Sequence, residues 1–162
     1  MVPVNQSAGE ANNQANVTAV ALANVPSLNL ADVNVRQVLV GNTLTTSADT
    51  DAAIVDSFNN TTGIVQVNQA AGSLNNQVNA LALATGGGLG PIGALLADAQ
   101  LDAIGGEADN EFAIEGAIEN RGTIANSFNS FRGIAQVTQA SGNLNQVGNV
   151  LGVSVQTIGQ IP

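Results

Sequence analysis

Three stretches of the chain carry residue types at spacings that could do chemistry. Gly88-x-Gly90-x-x-Gly93 matches the dinucleotide fingerprint, whose glycines let a turn approach a pyrophosphate. Glu107 or Asp109 follows at roughly the 20-residue distance at which such sites bind a ribose hydroxyl. Glu107-Ala108-Asp109-Asn110-Glu111 offers carboxylate oxygens to Ca²⁺, but its spacing is neither that of an EF-hand loop nor that of a Gly-Gly-x-Gly-x-Asp repeat. Paired acids could also hydrolyse a glycoside. The rest of the composition withholds what these sites need. The 162 residues include no His, Cys, Lys, Trp or Tyr, and Phe is the only aromatic, with four copies. Imidazole bases, thiolate nucleophiles, Schiff-base amines and the usual zinc, haem and iron–sulfur ligands are therefore absent. The glycine fingerprint reads as a connector and the acidic cluster as a solvated face. Four Asn-x-Ser/Thr sites, at Asn5, Asn16, Asn59 and Asn60, follow from the abundance of Asn. We expect no catalytic, cofactor-binding or metal-binding residue, no cofactor and no enzyme.

Charge narrows the partners. Arg36, Arg121 and Arg132 stand against 12 acids, for a net charge of −9 and a pI near 4.1. Such a chain cannot neutralise a phosphate backbone, so nucleic acid is not an expected partner. Residues 80–97 are uncharged, which approaches the length of a membrane span. Thr85-Gly86-Gly87-Gly88-Leu89-Gly90-Pro91-Ile92-Gly93 interrupts that stretch with helix breakers, so no span is expected. Met1 to Gln6 has neither the charged nor the apolar part of a signal peptide. The expectation is a mature form whose signal has been removed, or a cytoplasmic protein.

The chemistry the chain does own is that of side-chain amides, and it is periodic. Asn and Gln number 33. Residues 57–81 match 127–151 at 14 of 25 positions with a constant offset of 70, and residues 4–21 match 67–84 at 11 of 18 with an offset of 63. Four columns are shared by all three copies: Gln6, Gln69 and Gln139; Gly9, Gly72 and Gly142; Asn12, Asn75 and Asn145; Asn16, Asn79 and Asn149. The 70-residue step also places Asp51 against Arg121, an interlayer ion pair, and Asp49 near Glu119. Seven acids fall between Asp98 and Glu119, outside the columns. This organisation divides the chain into a half repeat (1–24), a first full repeat (25–84), a Gly-rich connector (85–94) and a second full repeat (95–162).

The elements that must hold these columns are strands. Ile64 to Gln69 is β-branched and alternating, Gly72 marks a bend, and Leu74 to Leu83 alternates again. Val33 to Asn42 adds a further strand and turn. Gly93 to Ile104 admits an amphipathic helix or, like its partner around 28–40, a strand. Leu30-Ala31-Asp32 resembles Leu96-Ala97-Asp98 in the more divergent upstream halves. With so few bulky side chains, a thin interior suits the chain better than a thick sandwich core. The expected fold is all-β: stacked β-arch layers, either a β-solenoid or an amyloid-like cross-β structure, built from repeats of about 70 residues in which amides bond their counterparts one layer away.

Val67-Asn68-Gln69-Ala70-Ala71-Gly72-Ser73-Leu74-Asn75-Asn76-Gln77-Val78-Asn79 and the residues on to Ala84 resemble the repeat of Fap-type functional amyloid subunits of bacterial biofilms, and more distantly the curli repeat. The third copy departs from it at Val147, where the second has Gln77. The resemblance covers about 4–23, 57–84 and 127–153. It implies a structural protein that self-assembles into an extracellular filament of the biofilm matrix or cell surface. Its partner would be itself, with a secretion pore or nucleator as further partners. The alternative reading is a monomeric β-solenoid adhesin or surface-binding module. That reading calls for capped ends, which Val153 to Pro162 does not supply.

Overall fold

The computed structural model describes residues 1–23, 29–45, 48–87, 92–96, 100–102, 111–112 and 117–157. These residues are all-β, with no helix among them. The N-terminal copy supplies β1 (Val2–Ala8) and β2 (Asn13–Ala23). The central copy supplies β3 (Asn29–Val33), β4 (Arg36–Val38), β5 (Thr43–Leu44), β6 (Thr50–Val55), β7 (Thr62–Ala71) and β8 (Asn76–Gly87). The C-terminal copy repeats that series as β9 (Ile92–Leu96), β10 (Gln100–Asp102), β11 (Glu111–Phe112), β12 (Asn120–Ala125), β13 (Arg132–Ser141) and β14 (Gln146–Thr157).

Each strand pairs with its counterparts in the other copies. The sheets run β1-β7-β13, β14-β8-β2, β10-β4, β11-β5, β12-β6 and β3-β9. β1 on β7, β12 on β6 and β13 on β7 are parallel pairs, which the long connections between counterparts permit and a hairpin would not. Val2 lies on Val65 and Val65 on Ala135, so the offsets of 63 and 70 seen in the sequence are the strand registers. A slip by one residue would turn every buried side chain to the opposite face, which makes the column pattern a strong register signal.

The described part of Gly93 to Ile104 is strand, in β9 and β10. Sheet pairing with β3 overrides the local helical pattern. The upstream register also differs from the Leu-Ala-Asp match. Leu30 pairs with Gly93 and Ala31 with Ala94, an offset of 63 rather than 66. The difference is odd, and an odd slip would exchange the faces of β3, on which Ala31 and Val33 are buried and Leu30 is exposed. Residues 88–91 of the 85–94 connector, with Gly88 and Gly90, lie outside the described residues, while 85–87 end β8 and 92–94 begin β9. Most of the acidic segment 98–119 also lies outside them.

The chain forms two compact units. The first comprises Met1–Asn16, Gln37–Asn79 and Leu101–Asn149. Its strand β7 is buried on both faces from Val65 to Ala71. Val65 and Val67 join Ile54, with Val4, Phe58, Ile124, Phe128 and Phe131 packed around them. The alternate residues Gln66 and Asn68 turn to the other side, where they meet Asn79. The second unit comprises Val17–Arg36, Ala80–Gln100 and Val150–Pro162. Among its described residues the buried ones are aliphatic: Ala31, Val33, Val35, Ala80, Leu81, Ala82 and Ala84. Among the described residues no helix is long and apolar enough to cross a membrane.

Candidate functional site

The columns are the site, and they lie in the first unit. Around Gly72 the chain bends between β7 and β8, which pair in different sheets. Gly9, Gly72 and Gly142 hold φ of +112°, +117° and +115°, a region that favours glycine. Space enforces the same choice at two of them. A Cβ on Gly9 would lie 2.2 Å from Gly72 O, and one on Gly72 would lie 2.0 Å from Gly142 O. The Asn12, Asn75 and Asn145 column closes each bend onto the next copy. Asn12 Nδ2 donates to Gly72 O at 2.8 Å and Asn75 Nδ2 to Gly142 O at 3.0 Å. In return Asn75 N donates to Asn12 Oδ1 at 2.9 Å, and Asn145 N to Asn75 Oδ1 at 3.0 Å.

The glutamine column is a continuous amide ladder. Gln69 Nε2 donates to Gln6 Oε1 at 2.8 Å, and Gln139 Nε2 to Gln69 Oε1 at 2.6 Å. The remaining protons go to backbone on the facing strands: Gln6 Nε2 to Ala53 O at 2.9 Å, and Gln69 Nε2 to Thr123 O at 3.1 Å. Each such bond contributes about 1 kcal/mol net, but an amide left without its partner inside costs about 1–3 kcal/mol. The ladder therefore fixes register more than it adds stability.

The Asn16, Asn79 and Asn149 column is less complete. Asn79 Nδ2 donates to Asn16 Oδ1 at 3.0 Å, Val67 O at 2.8 Å and Asn68 Oδ1 at 2.9 Å. Among the described residues the Oδ1 of Asn79 has no partner, and Asn149 contributes its carbonyl to Gln136 Nε2 at 3.2 Å. Asp51 and Arg121 are register partners on β6 and β12, and both line an open pocket with Asp49, Thr50 and Glu119. There Asp49 Oδ1 accepts the backbone N–H of Glu119 at 2.8 Å, so these two acids sit one strand apart.

Two-copy columns escaped the sequence reading. Gln66 Nε2 donates to Gln136 Oε1 at 2.8 Å, and Gln14 Nε2 to Gln77 Oε1 at 2.6 Å. Asn68 Nδ2 donates to Asn5 Oδ1 at 3.0 Å, and the Thr138 hydroxyl to Asn68 Oδ1. Pro3 and Val147 break the first two, and Thr138 disguises the third. The constant offsets, applied to any two copies and to every polar residue rather than only to columns identical in all three, would have found them. Phe58 and Phe128 extend the same stacking to rings, with centroids 5.0 Å apart, and Phe131 meets Phe128 edge-on at 5.9 Å.

No group of three or more His, Cys, Asp or Glu placed to hold a metal ion occurs among the described residues. Glu107 and Asp109 lie outside them. What the site can do is bond to a copy of itself. Val67 and Leu74 are fully buried in the central copy, whereas their counterparts Val137 and Leu144 are 36% and 37% exposed. Val2 is likewise 46% exposed over a buried Val65. Both outer copies present half of a contact that the central copy completes.

The family described as functional amyloid protein FapB/FapC matches residues 1–156. The chain is similar to the functional amyloid subunit FapC of Pseudomonas aeruginosa, with 41% identity over 91 residues. That match covers 54% of this chain and 27% of the relative's length. No solved structure matches the chain.

Proposed function

Since the chain belongs to the functional amyloid protein FapB/FapC family, we propose that it is a secreted structural subunit that polymerises into an extracellular filament of the biofilm matrix. The family is one of structural amyloid subunits rather than of enzymes. On this reading the copies are β-arch layers of a β-solenoid, repeated from subunit to subunit at a strand spacing of about 4.8 Å. Growth is head to tail, with one open edge of the stacked copies meeting the opposite edge of a neighbouring subunit. The observation that carries the reading is the contrast within columns. Val67 and Leu74 are shielded by a copy on either side, while Val137 and Leu144 are exposed for lack of one. Open edges of parallel strands are templates for further strands. The shared Gln, Gly and Asn positions are then contacts between subunits as well as within them, and Asp51 and Arg121 set alternating charge along the filament.

Electron microscopy and fibre diffraction of the purified chain test this. Filaments with a meridional reflection near about 4.8 Å support it. A chain that remains monomeric by light scattering at high concentration overturns it.

A further inference from the structure

The two junctions inside the chain repeat one geometry, and that geometry has a direction. Gly72 N–H donates to Ala8 O at 2.9 Å, and Gly142 N–H to Ala71 O at 2.8 Å. Asn12 Nδ2 reaches forward to Gly72 O, and Asn75 Nδ2 to Gly142 O. The Cβ positions of Gly9 and Gly72 point the same way, each onto the glycine carbonyl of the following copy. At the C-terminal copy this direction leaves the chain. A Cβ on Gly142 would meet only Asn145 Nδ2, at 3.5 Å.

Resting on the head-to-tail reading above, we propose that subunits dock with the C-terminal copy of one against the N-terminal copy of the next, in the register of Gly142 on Gly9. The internal pattern then dictates the contacts. The Gly9 N–H of the added copy donates to Ser141 O, Asn145 Nδ2 donates to Gly9 O, and Gln139 lies on Gln6. The surface is a pair of exposed parallel strand edges, and the partner it fits is a second copy of this chain. Because the two faces differ, the contact does not close on itself and propagates as an open filament.

Gly142 is then a residue that must be glycine in the polymer but has room for a side chain in the free subunit. The two filament ends differ accordingly. A Gly142→Ala subunit adds to the C-terminal end through its own unaltered N-terminal copy. Its methyl group then stands where the next Gly9 carbonyl must come. At the opposite end the same methyl prevents it from adding at all, and growth by wild-type subunits continues.

Gly63 is the matched control. Its φ is +134°, and a Cβ there meets nothing within 4 Å. It points the other way, as its partner shows, since a Cβ on Gly133 would meet Gly63 O at 1.9 Å. That direction is away from the C-terminal edge, where the proposed contact forms.

The test is seeded growth watched at single-filament ends, with wild-type seeds and wild-type subunits plus a minor fraction of variant. Gly142→Ala should arrest one end and spare the other, while Gly63→Ala should leave both growing. Asn145→Asp demands no positive φ; besides its internal Nδ2 bond to Asn75 Oδ1 at 2.9 Å it gives up the bond across the junction, and loss of that one bond of ordinary net strength should slow the same end about tenfold. If Gly142→Ala and Gly63→Ala arrest the same ends alike, the register is wrong. If Gly142→Ala changes nothing, Asn145→Asp decides, and normal growth of both ends with it overturns the proposal. Wild-type filaments indifferent to positions 142 and 145 defeat this register alone, whereas wild-type subunits that never form filaments defeat the functional reading itself.

Discussion

The central and C-terminal copies carry nearly the same residues on β7 and β13 but stand in different solvents. On β7 every residue from Val65 to Ala71 is buried. On β13 only Gln136, Thr138 and Ala140 are, with exposed residues between them. Gln69 is fully buried with an amide on either side of it, while Gln139 has one neighbour in the ladder and an exposed flank. The difference is not written in the strand itself. It comes from the number of copies stacked on it, two on β7 and one on β13.

That comparison can be broken most severely at the bend. Gly72→Ala places a methyl on the Gly142 carbonyl and adds strain at positive φ, and it should cost about 3 kcal/mol or more of subunit stability. Gly142→Ala carries only the strain, and it should lower the urea midpoint of the free subunit by distinctly less. Equal midpoints for the two variants would erase the distinction between copies. Next in size is the glutamine ladder. Gln69→Leu leaves Gln6 and Gln139 with broken amide bonds and should cost about 2 kcal/mol, against about 1 kcal/mol or less for Gln139→Leu in the same denaturation experiment.

The aromatic stack is a smaller term. A double-mutant cycle between Phe58→Ala and Phe128→Ala should give a coupling of about 1 kcal/mol. A coupling indistinguishable from zero would mean that the two copies do not communicate through the rings. Smallest is charge, which acts on rate rather than on fold. Moving from pH 7 towards the pI of 4.1 reduces the net −9, and added salt screens it, so both should shorten the lag of polymerisation. Lag times unaffected by either would show that the acids do not restrain association.

How much of this was legible in the sequence differs between the halves of each copy. The half containing Gly72 could be read closely. Identical residues recur there because any change at a bend glycine or buried amide disturbs two neighbours, and the offsets of 63 and 70 are the registers. The upstream half could not. Leu30-Ala31-Asp32 suggested a register three residues away from the one formed, because the paired residues of β3 and β9 are identical only at Ala31 on Ala94, too little to select one alignment. The helical pattern of Gly93 to Ile104 misled for a related reason, since strand pairing with a partner 63 residues away is invisible to a local window. Among the amides, the columns found were those with three identical members. Gln66 over Gln136 is identical in only two copies because Pro3 breaks the column, and Asn68 between Asn5 and Thr138 needed a rule of position rather than of identity.

The claim beneath all of this is that the columns continue from one subunit to the next. Filaments grown from a mixture of chains labelled with ¹³C only at Gly9 and chains labelled only at Gly142 test it directly. Within one chain these glycines are two copies apart, about 9.6 Å, whereas across the proposed junction they are one strand spacing apart, about 4.8 Å. The account predicts a solid-state NMR cross-peak between the two labels in the mixed filaments. Well-ordered mixed filaments without that contact would contradict it.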